Sequence, residues 1–161
     1  MSEISWSAPE HPVDAGTARR GILAQHVHLR DLLRRAQALA EARLDGDTSV
    51  PDAVVSAIGD VRAAMEVHLT FEEAVLVPLF RDDLPLGPER AERLIDEHLR
   101  QRAMLAALHK EACHHPELPT LAAKLATMAA WLLADMDQEE RSVLNPDTLR
   151  DDIVVVDQTC G

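Results

Sequence analysis

A chain of 161 residues, 47% apolar and carrying a formal charge of -12, is long enough for one domain with a substantial core and too apolar to be disordered throughout. The acidic balance argues against nucleic acid or an anionic membrane as partner, and no apolar run approaches the roughly 18 residues of a membrane span. The stretch from Met1 to Asp14 has no apolar segment that reads as a leader, so a cytoplasmic protein is expected. Cys113 and Cys160 make no disulfide framework, and the absence of Tyr rules out a tyrosyl radical or ligand. Ala and Leu dominate while Gly numbers only 6, which favours an all-α chain.

Residues 1–14, with Pro9 and Pro12, read as an extended N-terminal arm. A long helix follows from about Ala15 to Arg43, with the apolar seam Ile22, His26, Leu29, Leu33, Ala36, Ala40. Leu44 to Val50, holding Asp45, Gly46 and Asp47, is a turn. Pro51 suits the first turn of the second helix, which runs to about Phe80 unless Pro78 ends it sooner. Its seam is Val54, Ile58, Val61, Met65, His68, Glu72, Val75, Leu79, the alternating steps of four and three that mark a bundle helix. Asp82 to Pro88 is a loop. The third helix, about Pro88 to Cys113, has the seam Ala91, Leu94, His98, Gln101, Leu105, Leu108. After a linker from His114 to Pro119, the fourth helix spans about Thr120 to Leu144, with the seam Leu121, Leu125, Met128, Leu132, Asp135, Glu139, Ser142, and Asn145-Pro146 stops it. Short connections make consecutive helices antiparallel neighbours, so an up-down-up-down four-helix bundle is expected over 15–146, followed by a short C-terminal tail, 147–161.

Ionisable groups stand on these seams where the pattern asks for Leu. A carboxylate in a core costs several kcal/mol unless it is paired, hydrogen-bonded or metal-bound. Counting about 1.5 Å per residue from each loop puts His26, His68, Glu72, His98, Asp135 and Glu139 at one level of the bundle. Three imidazoles and three carboxylates form a mixed nitrogen and oxygen donor set, suited to iron or manganese more than to magnesium or calcium. So many donors favour two carboxylate-bridged ions over a single metal. Of the other histidines, His28 faces outward and His109 lies about 16 Å along its helix from His98.

These motifs resemble the hemerythrin-like family, also called the HHE cation-binding domain, over roughly residues 15–146. Gln25-His26 with Leu29 to Leu33 is similar to the first-helix motif, His68 to Pro78 to the His-x-x-x-Glu motif of the second, and Asp96 to Arg100 to that of the third. Asp135 to Glu140 is similar to the fourth-helix motif, with Asp135 where His is usual. The resemblance implies a non-haem di-iron centre with His26 and His68 on one iron, Glu72 and Glu139 bridging, and His98 and Asp135 on the other. Oxygen carriers of the family have a second third-helix His, where this chain has Leu94 and Arg102. Ferritin-like di-iron bundles instead repeat Glu-x-x-His, which is absent here.

The expected partner is therefore a small diatomic ligand or peroxide, met as sensor, scavenger or store. Two alternatives stand beside this: an oxidase or peroxidase of the same fold, and a metal-poor helical interaction module. The β-prone tail around Ile153 to Val156, ending at Cys160, is a candidate contact for a protein partner.

Overall fold

Asp14 begins the first helix by accepting the Thr17 backbone N–H on its side chain at 2.8 Å, the capping role for which a short acidic residue is suited. The computed structural model describes residues 13–47, 51–83, 87–114 and 117–149. Within them lie four helices: α1 (Ala15–Leu44), α2 (Pro51–Asp83), α3 (Gly87–Cys113) and α4 (Leu118–Ser142). No strand occurs among the described residues. The α1 helix stops at Gly46, whose φ of 101° is a left-handed conformation open to glycine. The Asp47 N–H then reaches back to the Ala42 carbonyl at 3.0 Å, and the Gly46 N–H to that of Arg43 at 3.3 Å, closing the helix end.

The helices form an antiparallel four-helix bundle. The α1 helix packs on α2 and α4, and α2 packs on α3, whereas α3 and α4, though neighbours in the ring, touch no more than the diagonal pair α2 and α4. The bundle is thus a ring with one loose seam. Gly21 lets α1 approach α2 at the Phe71 ring: a Cβ there would stand 2.8 Å from Cζ.

Two apolar clusters fill the interior. The larger one holds Leu29, Leu33, Ile58, Val61, Met65, Leu69, Leu105, Leu125 and Leu132 with their neighbours. The smaller one, at the other end, gathers Ala18, Ile22, Val75, Leu76, Phe80, Ala91, Leu144 and Leu149. Between them runs a polar layer, with Gln25, His26, His68, Glu72, His98 and Gln101 all buried. Truncating a buried Leu on either side to Ala costs about 2–5 kcal/mol. The apolar clusters therefore hold the polar layer in place.

The boundaries differ from the sequence reading in ways that local chemistry explains. The α2 helix continues through Pro78 to Asp83. Pro78 and Ala74, whose carbonyl loses its partner, both face solvent, so water can take the bond. The α4 helix begins at Leu118, with Pro119 in its first turn, and ends at Ser142. Ser142 is exposed instead of on the seam, and Leu79 and Leu94 are half-buried. Past α4, the Asp147 N–H bonds the Asn145 side chain at 2.9 Å, and the resulting turn folds Leu149 back onto the smaller cluster. The expected arm up to residue 12, and the tail from 150 onward, lie outside the described residues. No described helix is long and apolar enough to cross a membrane.

Candidate metal centre

Glu72 stands at the middle of the polar layer, 2% exposed. Its Oε1 lies 3.3 Å from His68 Nε2 and 3.8 Å from His26 Nε2, and its Oε2 lies 3.2 Å from His98 Nε2. One carboxylate therefore divides its oxygens between two histidines on one side and a third on the other. Glu139 joins from α4, with Oε2 3.5 Å from His26 Nε2. The His26 and His68 rings meet edge to face, centroids 5.0 Å apart.

Donor atoms from His26, His68, Glu72 and Glu139 all lie within 4.8 Å of one another. Two ligands about 2.1 Å from one ion and at right angles to it stand about 3 Å apart, so these spacings suit a cation. The unpaired atoms give a second test. His26 Nε2, Glu72 Oε1 and Glu139 Oε1 are buried without a hydrogen-bond partner. A buried acceptor left unmatched costs about 1–3 kcal/mol, and a cation would satisfy all three at once. The residues fit a metal.

Each imidazole is anchored through its other nitrogen. His26 Nδ1 is 2.8 Å from Glu140 Oε1, His98 Nδ1 is 2.9 Å from Glu73 Oε1, and His68 Nδ1 is 2.9 Å from Gln25 Oε1. In a neutral ring an acceptor at Nδ1 places the proton there and turns the Nε2 lone pair to the centre; His26 reaches that state when a cation displaces its second proton. Behind two of these acceptors stands an arginine. Arg30 donates to Glu140 and to Asp137, both at 2.7 Å. Arg102 donates to Glu73 at 2.6 Å and to Glu66 at 3.0 Å. Arg102 thus backs His98 through Glu73.

Of the six residues named from the sequence, His26, His68, Glu72 and Glu139 gather their donor atoms, His98 joins through Glu72, and Asp135 does not reach the cluster; the supporting layer was missed. The signal was the doubled glutamates, Glu72-Glu73 and Glu139-Glu140. In each pair the first residue turns inward, and the second, about 100° further around the helix, braces a histidine of the neighbouring helix. Asp135 stands further out. It is half-buried, accepts from Gln101 Nε2 at 2.8 Å, and lines a chamber with His98, Glu72 and Glu139.

The charges of the cluster act strongly on one another. Burial alone would strip His26 of its proton, but Glu139, Glu72 and Glu140 outweigh it and push its pKa up to about 10. Burial and the Glu72 charge push Glu139 up to about 8. Burial brings His68 down to about 4, so it is a neutral ligand-ready imidazole at pH 7. For Glu72, burial favours the neutral acid, yet His68, His26 and His98 together hold the group well below the usual carboxylate range. With no cation, the layer gathers protons to offset its negative charge.

A helical bundle with a histidine and carboxylate layer of this kind is a metal-binding fold. The hemerythrin HHE cation-binding domain family matches residues 17–145, and the chain belongs to that family. No curated protein matches the chain, and no solved structure does.

Proposed function

We propose that this protein is a non-haem di-iron protein that reacts with O2, NO or peroxide in sensing, scavenging or redox defence. The observation that carries the reading is the division of Glu72 between His26 and His68 on one side and His98 on the other. A carboxylate so divided supports a bridging role, in which each oxygen would serve one ion. His26, His68, Glu72 and Glu139 would hold one ion; Glu72, Glu139, His98 and Asp135 would hold the other.

Iron, when bound, supplies the redox change and the coordination position for the small molecule. The chain's own residues set the terms. Nδ1 anchoring keeps three Nε2 lone pairs aimed inward, and the two apolar clusters on either side limit water. Asp135 brings negative charge where the family usually has a neutral imidazole, which favours the oxidised ion and hence consumption of oxidant over reversible carriage.

Stopped-flow mixing of the reduced, iron-loaded protein with O2 tests this reading. Rapid oxidation that does not reverse when O2 is removed, with added peroxide consumed, is expected. A spectrum that returns to its starting form on removing O2 would identify an oxygen carrier instead.

A further inference from the structure

The loose seam between α3 and α4 leads to the centre. A chamber of about 180 Å³ lies there, walled inside by His98, Glu72 and Glu139 and bordered at solvent by the exposed Gln138 and Ser142. Its size suits a molecule of a few non-hydrogen atoms. Four carboxylates line it, Glu72, Glu97, Asp135 and Glu139, and no Lys or Arg does. Arg100 pairs with Glu97 at 2.9 Å but is itself exposed and is absent from the lining.

Gln101 points to the kind of molecule that enters. It is 2% exposed and lines the chamber, with Nε2 donating to Asp135 and Oε1 bonded to nothing. A buried amide oxygen in that state accepts from whatever occupies the space beside it. Asp135 accepts from Gln101 through Oδ2, and its other carboxylate oxygen is a second acceptor at this wall. The groups not engaged with one another at this wall therefore accept hydrogen bonds.

We propose that this chamber selects neutral small molecules that donate hydrogen bonds, of the hydroperoxide class, and offers anions no electrostatic attraction. The inference rests on the di-iron reading and narrows it. Two divalent ions bring four positive charges, and the four lining carboxylates cancel them, so the loaded chamber has no surplus charge to draw an anion in. A hydroperoxide is uncharged at neutral pH and presents an O–H to Gln101 Oε1. O2 and NO have no such donor.

The test uses protein loaded with cobalt(II), a divalent ion whose visible spectrum reports ligand binding. Azide is the anionic probe, and hydroxylamine, a neutral donor the size of hydrogen peroxide, is the other. Hydroxylamine is expected to bind more tightly than azide. Azide affinity should change little with perchlorate, as a chamber without net charge requires, and should rise about three- to tenfold in Glu97→Gln, which leaves one positive charge uncancelled. Gln101→Leu should weaken hydroxylamine about three- to tenfold and change azide less. Metal content measured on the same samples keeps the two readings apart, since failure to take up metal overturns the di-iron reading. Full loading with azide affinity unchanged in Glu97→Gln, or with azide binding weakened strongly by salt, overturns this inference alone. Glu97 is half-buried at the mouth, so that variant remains informative if Gln101→Leu does not fold.

Discussion

Glu72 of α2 and His98 of α3 meet across the interface between their helices, Oε2 to Nε2 at 3.2 Å, while the other oxygen of Glu72 faces His26 and His68. The contact ties two halves of the polar layer through one side chain. Each half is unlike the other. Beside the shared Glu72 and Glu139, the inner half has His26 and His68, gathered with them within 4.8 Å, and the outer half has His98 and, at the rim, an Asp135 already engaged by Gln101.

If the layer holds two ions as proposed, their affinities should be unequal. Under mild chelation the ion between His98 and Asp135 is expected to leave first, and the ion at His26 and His68 later. Asp135→His should narrow the gap by restoring a nitrogen donor. Time courses of metal release in wild type and variant check this, and simultaneous loss of both ions in each would count against the asymmetry.

The supporting glutamates should act on separate ions. Glu73→Ala removes the acceptor that aims His98, and Glu140→Ala the one that aims His26. Each is expected to lower metal affinity by about 10–100-fold, Glu73→Ala chiefly at the outer site and Glu140→Ala chiefly at the inner one. Metal titrations of the two variants are the measurement. Identical losses at both sites would show that these residues only support the fold.

Proton release should accompany metal binding. At pH 7 the metal-free layer holds protons on His26, raised to about 10, and on Glu139, raised to about 8. A cation must displace them, so about two protons leave per chain at pH 7 and affinity climbs with pH up to about 8, then less steeply to about 10. The linkage sign is the same for both groups. Their folded pKa values lie above the unfolded ones, so the metal-free fold gains most at low pH and loses that gain as pH rises through about 8 and then about 10. Thermal melts should show the metal-free protein weakening from pH 6.5 to 9 and the loaded protein holding. A metal-free melting temperature that climbs over this range would contradict the charge arrangement.

Much of this was legible in the sequence because bundles write their cores in a simple period. His26, His68, Glu72 and His98 were found by standing where Leu was due, and all four are buried. Loop positions set by Gly46, Pro51 and Gly87 were enough to place them at one level. The loose α3–α4 seam was not legible. Leu94 and Ser142 carry the right spacing, yet the helices stand apart there, and periodicity reports a facing direction without a packing distance. Gln25, Glu73 and Glu140 were missed for a different reason: their partners lie on other helices, and half-buried glutamates look like a solvated face until those helices are in place.

The central claim is that Glu72 joins two metal ions. Iron content of the protein purified aerobically, wild type beside Glu72→Ala, tests it most directly, with circular dichroism to confirm that both are helical. About two irons per wild-type chain and loss of most of them in the variant are expected. A folded Glu72→Ala protein that keeps the full wild-type iron content would contradict the account.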